Sequence, residues 1–174
     1  MPPSKITQKK RIDFQDLMLY RVHEILLVAS PYDAFILEED GRLTEQILHE
    51  YIGMNFNYAP RVWQANSAKA ALEMLSKRKL DIVIVMMRIA DMNPLSFGLK
   101  VKKMYPRKPV ILLAFDESEI KQLPEEALQN SVDRVFVWSG NANVFPAIIK
   151  QIEDKKNSKR DILGGDVRAI ILVE

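Results

Sequence analysis

The sequence predicts an α/β chain, a three-layer sandwich in which helices cover both faces of a five-stranded parallel sheet ordered 2-1-3-4-5. Three observations predict it. The stretch Leu80 to Met92, LDIVIVMMRIADM, is a continuous apolar run rich in Ile and Val, the pattern of a strand buried on both faces. Similar shorter runs occur at Ile25–Ala29 and Pro109–Ala114. Between the runs lie segments whose apolar residues recur at helical spacing, so strand and helix alternate along the chain, which calls for right-handed crossovers.

Each element has its own signal. Asp13 can cap a short helix with Phe14, Leu17, Met18 and Val22 on one side. Ile25–Ala29 is the first strand, and Ser30-Pro31 stops it and opens a helix. Ala34 to Tyr51 carries Leu37, Thr44, Ile47, Leu48 and Tyr51 at roughly helical spacing, but Gly41 requires a bend or a fresh start. Gly53 to Pro60 is a loop and Arg61–Ala65 the second strand. Asn66 or Ser67 caps the second helix, whose stripe is Ala68, Ala71, Leu72 and Leu75, with Lys77-Arg78-Lys79 favourably placed at its carboxyl end. After the central strand, Pro94 opens a third helix with Phe97, Val101, Met104 and Tyr105, and Pro106 ends it. Pro109–Ala114 is the fourth strand. Glu117 to Asn130 is a fourth helix broken by Pro124, Val132 to Trp138 the fifth strand, and Val144, Phe145, Ile148, Ile149 and Ile152 mark the fifth helix.

The resulting division is a tail and lead-in helix at 1–23, an α/β domain at 24–156, a linker at 157–168 and the start of a second, similar domain at 169–174. Lys155 to Gly165 is charged and ends in a glycine pair, the composition of a linker. Arg168 to Glu174 then reads as another opening strand, so the chain is expected to be the front of a longer protein. A substantial core is within reach, since 48% of the residues are hydrophobic. The net charge of +2 argues against nucleic acid as a main partner. The absence of cysteine excludes disulfides, thiolate metal sites and cysteine nucleophiles, and suits a reducing, cytoplasmic setting. No run reaches the roughly 20 apolar residues that span a bilayer, so a membrane role is not expected.

The alternation, with a central strand ending in Met86-Met87-Arg88, resembles the CheY-like, flavodoxin-like receiver domain of bacterial two-component response regulators, from about Glu24 to Asp154. The first helix and its loop are longer than that family usually shows. The resemblance implies a phosphorylation site at the carboxyl ends of the strands, and the positions that match it lack its chemistry. Receivers hold magnesium with an acidic pair after the first strand, because that ion prefers oxygen ligands; here the pair is Ala29 and Ser30. The phosphoacceptor aspartate is matched by Met86, the hydroxyl of the fourth strand by Ala114, and the lysine after the fifth strand by Trp138, which precedes Ser139 rather than proline. The resemblance is therefore to a degenerate receiver, a pseudo-receiver. It implies signalling through a protein partner or an adjoining domain, with weak pairing of two copies through the face of the fourth helix, fifth strand and fifth helix. A conventional phosphorelay role is disfavoured by the missing aspartate.

Four polar groups remain near this rim, Asp33, Arg88, Asp91 and Asp116. Helix-end or turn duty explains the three acids, and Arg88 could attract an anion. The rival reading is therefore a sensor that takes a small molecule or anion in the crevice at the strand ends. No metal and no cofactor is expected. No GxxxxGK[ST] or GxGxxG occurs to cradle a nucleotide phosphate. His23 and His49 fall away from the strand ends, and no serine–histidine–acid signature is present. An enzyme is not expected.

Overall fold

The computed structural model describes residues 19–39, 42–53, 59–138 and 143–165. In chain order these form β1 (Glu24–Val28), α1 (Pro31–Glu39), α2 (Leu43–Gly53), β2 (Arg61–Ala65), α3 (Ala68–Lys77), β3 (Ile82–Met86), α4 (Pro94–Met104), β4 (Val110–Ala114), α5 (Glu117–Lys121), α6 (Glu125–Ser131), β5 (Arg134–Val137) and α7 (Val144–Gly165). All four strand pairings are parallel, in the order β2-β1-β3-β4-β5. The expected topology is thus the observed one. The described residues divide into two compact units, Val22–Ile149 and a smaller unit described at 19–21 and 150–165.

In the larger unit, the three inner strands are buried nearly throughout, which is why they read as unbroken apolar runs. Leu26, Val28, Val83, Val85, Val110 and Leu112 form one core with Ala68, Ala71 and Leu75 of α3 and Leu95, Phe97 and Val101 of α4. The alternate residues Ile25, Leu27, Ile84, Met86, Ile111 and Leu113 point to the opposite face and are equally buried. Leu37 of α1, Leu43, Ile47 and Tyr51 of α2, and Phe145, Ile148 and Ile149 of α7 are buried apolar helix residues of this unit outside that first core. They cover the second face.

The helix signals act as expected at several ends. Ser67, rather than Asn66, caps α3 by accepting from the Ala70 N–H, and Asn93 caps α4 just ahead of Pro94. Pro124 separates α5 from α6. The segment around Gly41 restarts rather than bends: α1 ends at Glu39, Arg42 has φ 45°, and α2 begins at Leu43. Gly41 itself lies outside the described residues. The restart changes the helical phase, so Leu43, Ile47 and Tyr51 are buried while Thr44 and Leu48 are exposed.

The helices α4 and α6 meet closely at Gly98. A Cβ there would lie 2.5 Å from the Ser131 carbonyl oxygen. At the amino ends of the strands, carboxylates hold the first backbone N–H groups. Asp81 Oδ2 accepts from His23 N at 2.8 Å and Glu24 N at 3.0 Å, and Asp133 Oδ2 accepts from Val110 N at 2.8 Å and from Lys102.

In the smaller unit, Asn157 Oδ1 accepts from Tyr20 N at 2.8 Å while its Nδ2 donates to Tyr20 O at 2.9 Å. Arg21 pairs with Glu153 at 3.1 Å. One expectation is overturned: Lys155 to Gly165, whose charge and glycine pair suggest a linker, is helical. Lysine, arginine and leucine propagate a helix readily, and the glycine pair falls at its carboxyl end, where glycine belongs. The lead-in helix from Asp13, with Phe14, Leu17 and Met18, lies outside the described residues. So do most of the Gly53–Pro60 loop, Ser139 and the segment 169–174.

Candidate functional site at the carboxyl ends of the strands

Met86 is the last residue of β3 and pairs in register with Leu113 of β4. One step earlier Val85 pairs with Val28 of β1, which sets Ala29 level with Met86. Ala114 ends β4 and its carbonyl accepts from the Trp138 N–H at 2.8 Å. Four of the five positions where the resemblance expects acidic, hydroxyl and amino groups thus lie on neighbouring strand ends and are buried: Met86 and Ala114 at 0% exposure, Ala29 at 2% and Trp138 at 5%. Ser30, the fifth, is only half-buried. The four buried residues form a sealed apolar floor.

Aromatic packing closes it from the outside. Phe115 meets Trp138 edge to face, with ring centroids 5.3 Å apart. The Arg88 guanidinium lies 5.7 Å from the Phe115 ring centroid and pairs with Glu119 at 3.3 Å. Glu119 Oε2 in turn accepts from the Phe115 N–H at 2.9 Å. Arg88, whose side chain is 60% exposed, thus has a carboxylate partner at the rim. Phe115 and Glu119 are site residues that sequence reasoning misses. The Asp116-Glu117-Ser118-Glu119 string does carry a signal, an acidic cap followed three residues later by a glutamate that reaches back.

The remaining acids take separate places. Ser30 accepts from the Asp33 N–H at 3.0 Å through its Oγ, while its own N–H donates to the Arg88 carbonyl at 2.9 Å. It caps α1 and ties β1 to the exit of β3. Asp91 is bound to the amino end of α3, accepting from Ala68 N at 2.6 Å and Lys69 N at 3.0 Å. The backbone N–H groups of Lys69 and then Ala68 hold its carboxyl below the usual range. Asp116 caps α5 through Ser118 N and Glu119 N, and the Ser118 hydroxyl, then its N–H, depress the Asp116 pKa. The helix-end explanation thus describes Asp116, while Asp91, expected to serve a turn, instead holds the start of a helix distant in sequence. Asp33 is different. It is 0% exposed and neither carboxylate oxygen has a hydrogen-bond partner. Among the described residues, no group of three or more His, Cys, Asp or Glu is placed to hold a metal ion.

A groove of about 550 Å³ lies beside the floor, between α1 and α3. Ala29 is its one residue from the set matched to the receiver site; Phe35, Glu38, Gln64 and Met74 are among the others that line it. It opens over the β1–β2 edge, away from Trp138. No helix among the described residues is long and apolar enough to cross a membrane.

The sheet order, the helices on both faces and the position of Met86 at the end of the central strand define a receiver-type fold, that of the CheY-like domains of response regulators. No protein-family model and no curated protein matches the sequence. Solved structures do. A CheY-like receiver domain protein from Methanospirillum hungatei JF-1 is 20% identical, with a TM-score of 0.58 over 79% of this chain and 98% of that one. The signal receiver domain of an HD domain-containing protein from Pseudomonas fluorescens Pf-5 is 21% identical, with a TM-score of 0.54 over 82% of this chain and 95% of that one. The response regulator TrrA from Thermotoga maritima, solved in complex with magnesium and BeF, is 18% identical, with a TM-score of 0.52 over 75% and 98% of the two chains.

Proposed function

We propose that this chain is a receiver-like regulatory domain that works without phosphorylation, through contacts with a protein partner or with an adjoining domain of a longer two-component-type protein, and that it is not an enzyme. The observation that carries this reading is the sealed floor of Ala29, Met86, Ala114 and Trp138. A phosphoryl group needs a carboxylate to accept it and cations to balance its charge. The matched positions offer a thioether, two methyl groups, an indole and one hydroxyl, that of Ser30, which accepts from the Asp33 N–H. With no phosphoryl ligand to shift a receiver between its states, the function resides in the surface itself.

The face expected for pairing of two copies offers less than its sequence suggests. Of the expected band Phe145, Ile148, Ile149 and Ile152 are buried and Val144 is half-buried, so little of it is available as an exposed apolar contact. In α5, α6 and β5 the exposed large apolar residue is Val137, and α7 exposes Ile162 and Leu163 within the smaller unit. The sensor reading now rests on the groove beside the floor, because the floor itself is closed to a ligand.

The test is exposure to acetyl phosphate, and separately to beryllofluoride, each with magnesium. Intact-mass spectrometry is expected to show no phosphoryl adduct, and the thermal midpoint is expected not to move. An adduct on any aspartate, or a midpoint raised by beryllofluoride, would refute the proposal.

A further inference from the structure

Two buried side chains at the strand ends carry polar atoms that the fold leaves unsatisfied. They are the carboxylate of Asp33, both of whose oxygens are without partners, and the indole Nε1 of Trp138. Both residues are at least nine-tenths buried. Unsatisfied buried groups of this kind are rare in folded proteins, because each forfeits its hydrogen bonds to water. The two are of opposite sense: an ionised carboxylate only accepts and an indole N–H only donates.

The topology puts them on the same side of the sheet. Val135 packs with the α3–α4 core, so alternation sends Phe136 and Trp138 to the other face. The contact of Trp138 with Phe115 agrees, since Phe115 alternates with Leu112, which belongs to the α3–α4 core. Asp33 lies one helical turn before Leu37, which is buried outside that core, so both fall on the same stripe of α1. Nearby polar groups are engaged elsewhere. Ser30 Oγ takes the Asp33 N–H, Arg88 is paired with Glu119, and Asp116 is bound to the start of α5.

We propose that Asp33 and Trp138 are the two halves of a latch: in a second state of the rim the Trp138 indole N–H donates to the Asp33 carboxylate, fastening the first turn of α1 to the exit of β5. In the structure neither group has a hydrogen-bond partner. Closing the latch satisfies two orphaned atoms at once. It also couples α1, which follows β1, to the exit of β5, strands that β3 and β4 separate in the sheet. If the phosphorylation-independent reading holds, this latch is the element that gives the surface two states, biased by whatever contacts α1 or the β5 exit.

The test reads the indole directly. The chain has two tryptophans, so Trp63→Phe assigns the Trp138 indole resonance in a ¹H–¹⁵N spectrum of the whole chain. The latch is expected to show as slow solvent exchange of that N–H. Asp33→Leu, similar in size and without an acceptor, should move the resonance upfield and speed its exchange by up to roughly tenfold, the fold-change one hydrogen bond sets. Should that variant fail to fold, Asp33→Asn keeps a carbonyl acceptor, and a smaller change in the same direction supports the latch. An indole resonance and exchange rate unchanged in whichever variant folds would overturn it, and a gain in stability of Asp33→Leu alongside would mark Asp33 as a plain buried acid. Neither outcome depends on the acetyl phosphate result, so the two proposals fail separately.

Discussion

Replacing Met86 with aspartate puts back the residue type the receiver resemblance expects, in surroundings that no longer suit it. Met86 is fully buried at the end of β3. Removing its side chain gives up about 1.5–3 kcal/mol of apolar burial. The incoming carboxylate is taken out of water without a cation beside it, since Ala29 and Trp138 supply none, which costs several kcal/mol more or forces it to stay protonated. We expect a total loss of about 3–5 kcal/mol at neutral pH, a large share of the roughly 5–15 kcal/mol a domain ordinarily has. The pH dependence has a definite sign. Burial raises the folded-state pKa of the new acid, so the charge penalty is absent below the unfolded value of about 3.9 and grows as pH rises towards the folded one. Urea unfolding of Met86→Asp and the parent at pH 5 and pH 8 measures both parts, with Met86→Leu as a volume control expected to cost under about 1.5 kcal/mol. A midpoint equal to that of the parent at both pH values would refute the reasoning, because it would mean that water reaches the floor.

Two further outcomes are expected. Gly98→Ala should lower the thermal midpoint, with a cost of about 1–3 kcal/mol from overpacking against the Ser131 carbonyl. In an open helix the same change would stabilise by up to about 1 kcal/mol, so the sign of the shift decides whether α4 and α6 approach as described. Asp91→Asn should flatten the acid limb of a stability profile. The Asp91 carboxyl is depressed by the Lys69 and Ala68 N–H groups, so its contribution is present above the ordinary value of 3.8 and is lost as pH falls through the lower folded value. Equal slopes for variant and parent below pH 4, followed by circular dichroism, would show that the tie to α3 does nothing for stability.

The inner strands were legible because a parallel sheet covered on both faces writes itself as unbroken apolar runs, and Ile82–Met86 does so most clearly. The edge strands were harder. β2 and β5 are exposed or half-buried except at Ala65, and only Arg134–Val137 of the expected Val132–Trp138 is strand. Capping was legible where it is local, as at Ser67, Pro94 and Asp116, because the acceptor and the helix start are neighbours in sequence. Asp91 could not be read the same way, since its partners Ala68 and Lys69 lie on another helix more than twenty residues earlier. The burial of Asp33 had a readable trace, its place four residues before Leu37 on one helical stripe. An acid in the first turn of a helix has an ordinary explanation that hid it. In α7 the glycine pair drew the eye to a linker, although the charged residues ahead of it are good helix formers.

The carboxylates at the amino ends of the strands have a consequence of their own. Asp81 and Asp133 hold the starting N–H groups of β1 and β4 from positions just beside neighbouring strands. In a sheet whose side chains alternate faces, slipping one strand by a residue would turn its whole apolar set outward, and these two acids hold their strands against such a slip. Proteins of this architecture are ordinarily most demanding at the other end, where ligands gather. Here the demands are inverted. A saturation scan should find the carboxyl-end floor tolerant of any apolar swap that keeps its volume, and should find Asp81 and Asp133, far from any candidate site, to be positions where little else is accepted.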